Sequence, residues 1–180
     1  INLISGVKSI DGGHIIIKEI LLLKIKPYEV SSYSITRTFQ NIKLFEQITV
    51  LDNILVVITK RNLWSALFEK HKSYHLKQAE EVLRRVNLWE KKNELAVNLS
   101  YGQRKLLEIA RAISMDVNIF LFDEPFAGLF PEMRKIVVSI IKELKKHGKT
   151  VVLIEHNMDL IRELSDHLIV MDEGKLLAEG

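Results

Sequence analysis

The chain has 180 residues, 47% hydrophobic and 27% charged, with a net charge of +3 and no cysteine. That length buries the core of one domain or slightly more, and the lack of cysteine excludes disulfides and thiolate chemistry, a composition suited to the cytosol. No apolar run approaches the roughly 18–20 residues that cross a bilayer. The basic residues Lys70, Lys72, Lys77, Arg84, Arg85, Lys91 and Lys92 alternate with Glu at helical spacing, as on a solvated helix face rather than a nucleic-acid patch.

In chain order, Ile1 to Gly6 reads as the tail of a helix stopped by glycine. Opening on Ile1 inside an apolar pattern, the chain reads as a fragment. Asp11-Gly12-Gly13 is a turn, and His14 opens a β-rich run reaching Ile25. Pro27 to Ser34 is polar and loop-like, and Thr49 has the character of a helix cap. Leu63 to Trp89 is helical, with Leu76, Ala79, Leu83 and Val86 recurring on one face. Asn93 to Asn98 is a loop.

A second helix spans about Ser100 to Met115, with Leu106, Leu107, Ile109, Ala110 and Ile113 inward. Ile119 to Phe122 and Val151 to Ile154 are continuous apolar runs, the pattern of strands buried on both faces. Between them a helix follows Pro131 and stops at Gly148. Asn157 to Leu164 is helical, Leu168 to Met171 a strand, and Glu173-Gly174-Lys175 the turn to a last strand. Buried strands alternating with helices predict α/β architecture with a mostly parallel sheet.

Three constellations carry chemistry. The strand ending in Asp123-Glu124 delivers two carboxylates at its C-terminal end, where open α/β sheets place ligands. Adjacent acids there need a cation, and a Mg²⁺-nucleotide supplies one: the first acid holds the metal and the second acts on a water. The plain alternative is a strand meeting a helix cap. His156, just after the strand Val151 to Ile154, stands at a comparable edge and can bond a terminal phosphate, or can be a satisfied surface histidine. Ser100 and Gly102 open a helix whose free amides make an anion site, or Ser100 is an ordinary cap.

Together these resemble the ATP-binding subunits of ABC transporters. Leu99-Ser100-Tyr101-Gly102-Gln103 is similar to the signature motif, Ile119 to Glu124 to the Walker B strand, His156 to the switch histidine and Gln40 to the Q-loop glutamine. Arg37-Thr38-Phe39-Gln40-Asn41, Leu107 to Ala112 and Ile154 to Met158 look like the branched-chain amino acid importer ATPases. The resemblance covers nearly the whole chain.

It implies a P-loop NTPase (ABC ATPase) fold lacking its first strands and phosphate loop. The core would be about 1–62 and 116–180, with a helical subdomain at about 63–115. It also implies that Glu124 is the general base, that Asp123 and Gln40 serve Mg²⁺, and that His156 meets the γ-phosphate of ATP. Ser100, Tyr101, Gly102 and Gln103 would meet the nucleotide held by a second ATPase subunit, as a homo- or heterodimer. Further implied partners are transmembrane permease subunits and, indirectly, a periplasmic or surface solute-binding protein. No nucleic acid is expected, and the place would be cytoplasmic, peripheral on the inner face of the membrane.

Three positions depart from the family pattern. No Gly-rich loop ending in Gly-Lys-Ser/Thr is present, and Gly148-Lys149-Thr150 fails as one: Glu143 stands at the upstream glycine position and an apolar strand follows where a helix is required. The resemblance places that loop just ahead of Ile1, so this chain alone is expected to be inactive. Phe130 stands where the family's D-loop has Asp or Asn, at a helix-capping position whose loss costs about 1 kcal/mol. Lys18-Glu19 replaces an Asn-Gly hairpin turn. The alternatives are a non-hydrolysing partner lending its signature motif in trans, a lipopolysaccharide-export-type ATPase, or a soluble nucleic-acid-linked one. His71 and His75 at helical spacing read as exposed helix residues rather than a metal pair.

Overall fold

The computed structural model describes residues 1–17, 19–59 and 70–180, without the side chains of 70–72. Ile1 to Gly6 makes one helical turn: Ser5 N–H donates to Ile1 O and Val7 N–H to Asn2 O, both at 3.0 Å. Gly6 ends it at φ +67°, and a Cβ there would lie 2.6 Å from the Ile25 carbonyl oxygen. Only glycine meets both demands without moving backbone. Strands β1 (Ile15–Ile17) and β2 (Ile20–Leu22) form an antiparallel hairpin with Glu19 in the left-handed region. Lys18, the other residue expected in that turn, lies outside the described residues.

The segment expected as a loop, Pro27–Tyr33, is instead a 3-10 helix. Proline pre-sets φ for its first turn, and Glu29 Oε2 accepts from Lys26 N–H at 3.3 Å. Polarity hid it, because most of its surface is wet. Strand β3 (Ile35–Arg37) then enters the core, and Thr49 accepts from Asp52 N–H at 3.0 Å to cap α1 (Val50–Ile58).

Helix α2 (Lys70–Arg85) buries Ala79 and Leu83 toward α1, and Val86 just past its end is buried with them. Leu76, one turn earlier on the same stripe, is 43% exposed, so burial begins only at Ala79. The earlier part of the helix expected from Leu63, and the domain boundary near 62, lie outside the described residues. So does the side chain of His71. Short 3-10 turns at Trp89–Lys91 and Ala96–Asn98 lead to α3 (Tyr101–Ile113), which buries Leu106, Leu107, Ile109 and Ala110.

Strand β4 (Ile119–Asp123) is central, parallel to β3 on one side and to β5 (Thr150–Ile154) on the other. Phe120, Leu121 and Phe122 are buried, as a strand covered on both faces requires. β5 corrects the expectation of a second such strand. Among the described strands it lies at one edge of this sheet and is covered on one face: Val151 and Leu153 pack on the core, while Val152 and Ile154 are exposed.

Helix α4 (Pro131–Lys146) packs against β5 and ends at Gly148, φ +69°. Helix α5 (Met158–Leu164) is capped by Asn157 Oδ1, and β6 (Ile169–Asp172) pairs antiparallel with β7 (Lys175–Glu179). Among the described residues no helix is long and apolar enough to cross a membrane.

Candidate functional site

The register of β4 and β5 decides the site. Asp123 pairs with Ile154, and the Glu124 N–H donates to the Ile154 carbonyl at 3.0 Å. The acid pair and His156 therefore leave adjacent parallel strands at the same C-terminal edge, the adjacency being what the sequence left open. Glu124 holds φ +47°, a left-handed conformation uncommon for a side chain with no local reason to adopt it. Glu155 Oε1 accepts from Phe126 N–H at 3.2 Å and ties the end of β5 to the loop after Glu124. His156 is exposed.

Asp123 is not a free carboxylate. Its Oδ2 accepts from Arg37 Nη2 at 3.0 Å, and its N–H donates to Thr38 Oγ1 at 3.3 Å. Arg37 also donates to Ser5 Oγ at 2.6 Å and lies over the Phe39 ring, 4.8 Å from its centroid. Sequence reasoning passed over Arg37, although it opens the run that carries the importer resemblance. Its partner is distant in sequence, and only strand pairing brings them together.

Among the described residues, Asp123 Oδ1 accepts no hydrogen bond, and no three His, Asp or Glu residues group closely enough to cage a metal. One available carboxylate oxygen suits Mg²⁺ held mainly by phosphate and water, and does not suit an all-protein cage. Gln40, the other expected metal contact, is exposed on the loop after β3.

That loop is held by α3. Glu108 Oε1 accepts from both Phe39 N–H and Lys43 N–H at 3.2 Å. Lys105 Nζ donates to Phe39 O at 3.0 Å, and Arg111 Nη1 to Lys43 O at 2.6 Å. Lys105 and Glu108 are buried and their charges lie 3.5 Å apart. Burial pushes the Glu108 carboxyl above the ordinary glutamate value, against the pull of Lys105 and the two amides. The three side chains were legible as charges on an amphipathic helix, but not as ligands of a loop. Beside them opens a cleft of ≈ 400 Å³, lined in part by Thr36, Phe45 and Met115.

The Ser100 motif sits at the other end of α3 as a full capping box. Ser100 Oγ accepts from Gln103 N–H at 3.3 Å, and Gln103 Oε1 from Ser100 N–H at 3.1 Å. Two of the residues expected to meet nucleotide are thus engaged with each other. Gly102, expected with Ser100 to open a helix end with free amides, is buried: a Cβ would lie 2.6 Å from Met133 Sδ. Gly128, at φ +70°, leaves room for the Tyr101 ring, whose Cε1 would be 2.6 Å from a Cβ there. This motif therefore packs on Leu129 and Met133 at the start of α4, and among the described residues no hydrogen bond or ion pair joins it to Asp123, Glu124 or His156. Phe130 is the N-cap of α4, gives no capping hydrogen bond and is 74% exposed.

Gly148-Lys149-Thr150 holds no phosphate loop. Gly148 ends α4, Lys149 Nζ donates to Asn118 Oδ1 at 3.0 Å, and Thr150 begins β5.

Comparison with known proteins places the chain in a family. Residues 1–127 match the family model described as ABC transporter. The high-affinity branched-chain amino acid transport ATP-binding protein LivG of Salmonella typhimurium is 36% identical over 99% of this chain and 74% of its own length. The arginine transport ATP-binding protein ArtM of Bacillus subtilis is 38% identical over 94% of this chain and 69% of its own. A crystal structure of the ADP conformation of an ATP-binding cassette of an ABC transporter superposes with TM-score 0.78 at 30% identity, covering 99% of this chain and 73% of that one. The chain belongs to the ABC transporter family, as an ATP-binding protein of the type represented by LivG.

Proposed function

We propose that this chain is an ATP-binding and ATP-hydrolysing subunit that energises an importer of branched-chain amino acids, or of similar small polar solutes. The observation that carries the reading is the β4–β5 register, which sets Asp123-Glu124 and His156 at one strand edge. Glu124 acts as general base toward the attacking water. His156 meets the γ-phosphate and holds it in line, and Gln40 reports on the occupied site to the permease. When bound, Mg²⁺ neutralises charge on the phosphates, with Asp123 and Gln40 holding it partly through water. Ser100 to Gln103 serves the nucleotide of a second ATPase subunit, with the pair seated peripherally on the cytoplasmic side of permease subunits.

The 180 residues contain no Gly-rich loop ending in Gly-Lys-Ser/Thr. Loop amides and a lysine supply much of the phosphate grip in phosphate-loop ATPases, so the 180 residues alone hydrolyse ATP at no measurable rate. Turnover appears once a Gly-rich phosphate loop is joined ahead of Ile1 and the chain is assembled with permease. In that assembly Glu124→Gln lowers kcat by about 10²-fold or more, the range of a lost general base. Robust turnover by the 180 residues alone, abolished by Glu124→Gln, overturns the first claim. Full activity of assembled Glu124→Gln overturns the second.

A second reading, a partner that lends its signature motif in trans without hydrolysis of its own, is favoured by the uncapped Phe130. It predicts that a substitution at Ser100 stops the assembled transporter while Glu124→Gln does not.

A further inference from the structure

The loop that carries Gln40 has no regular secondary structure, yet four of its backbone groups are bound by one helix. Phe39 N–H and O and Lys43 N–H and O are all bonded to side chains of α3, leaving Gln40, Asn41 and Ile42 between two fixed ends. The residues responsible, Lys105, Glu108 and Arg111, are spaced by three and so share one helix face. Burying Lys105 and Glu108 costs desolvation that apolar residues of similar volume would avoid. What the charges add is direction: a carboxylate that accepts two amides fixes where those amides must be, which an apolar contact cannot do.

We propose that Glu108, supported by Lys105 and Arg111, is a positioning residue for Gln40, so that α3 carries the Ser100 motif at one end and sets the glutamine loop with its flank. A displacement of either is then transmitted to the other through about 12 Å of helix, eight residues at 1.5 Å each. Glu108 touches neither nucleotide nor metal; its effect passes through the loop. This rests on the reading of Gln40 given above.

Two measurements separate the proposal from that reading. The first is amide hydrogen exchange in the 180-residue chain. Glu108→Ala speeds exchange at Phe39 and Lys43 by about tenfold or more, the scale of a lost hydrogen bond to a charged acceptor, while Phe120 to Phe122 keep their protection. Glu108→Gln, which retains an acceptor oxygen, restores most of the protection. No acceleration at the two amides, or an acceleration spread equally through β4, overturns the proposal.

The second is steady-state ATP hydrolysis by the assembled transporter. Glu108→Ala lowers kcat by about tenfold with little change in KM, and adding it to Gln40→Ala costs nothing further. Additive losses overturn the proposal. If Gln40→Ala alone leaves turnover intact, the reading of Gln40 falls, and the exchange result still decides whether Glu108 sets the loop.

Discussion

Arg37 Nη2 lies 3.0 Å from Asp123 Oδ2, so the carboxylate that ends the central strand is paired with a cation from its neighbour. The Arg37 side chain is 9% exposed and that of Asp123 19%. The pair is made possible by the β3–β4 register, in which Arg37 stands beside Leu121 and reaches past it along the strand. It is a protein-supplied counter-charge at the position where the sequence pattern asks for a metal.

Removing the cation leaves a partly buried carboxylate without its partner. Arg37→Met is expected to destabilise the chain by about 1–3 kcal/mol, between the values for exposed and buried pairs. Asp123→Asn in the same background recovers part of that loss. Urea unfolding of the four chains checks it; a purely additive double mutant would show that the pair contributes nothing.

Burial raises the Glu108 carboxyl above its ordinary value of 4.5. Between 4.5 and the raised value the folded chain binds more protons there than the unfolded chain, so this group's contribution falls as pH rises. It is fullest below 4.5 and lost through the folded value. Lys105 and the Phe39 and Lys43 amides moderate the effect without reversing it, and Arg111 is the other cation facing the carboxyl. Glu108→Gln removes the dependence. Its stability relative to the parent therefore improves with pH across that window in urea titrations, and a flat or opposite difference refutes the assignment.

Phe130 has cap-compatible backbone, φ −66° and ψ 156°, but no capping oxygen. Phe130→Asp supplies one at the positive end of α4 and is expected to raise stability by about 1 kcal/mol. The side chain is largely exposed, so little packing is lost in exchange. An unchanged urea midpoint would mean that the cap does not form.

Gly128 combines a left-handed φ with a close Tyr101 ring. Gly128→Ala is expected to cost more than about 1 kcal/mol, the left-handed penalty for a side chain, because the ring must also move. Gly148→Ala has the same sign of φ and nothing within 4 Å, so it isolates the backbone part. Thermal unfolding of the two variants separates the terms; equal losses would show that Tyr101 yields freely.

The sequence alone determined the chemistry on offer and the elements that bear it. The 3.6-residue stripe of α3, the apolar run of β4 ending in Asp123-Glu124, the Ser100 and Thr49 caps and the stop at Gly148 are local, written within a few residues of one another. The likeness to transporter ATPases rests on such short runs.

The tertiary structure decided which of these groups meet. Arg37 and Asp123 are joined by strand pairing, and Glu108 reaches Phe39 and Lys43 because the loop after β3 runs against the flank of α3. Apolar runs state what can be buried, not what covers it, which is why Val152, Ile154 and Leu76 are exposed despite their patterns. Charges carry even less local information. Lys105 and Glu108 look misplaced on their helix until the backbone groups they bind are brought to them.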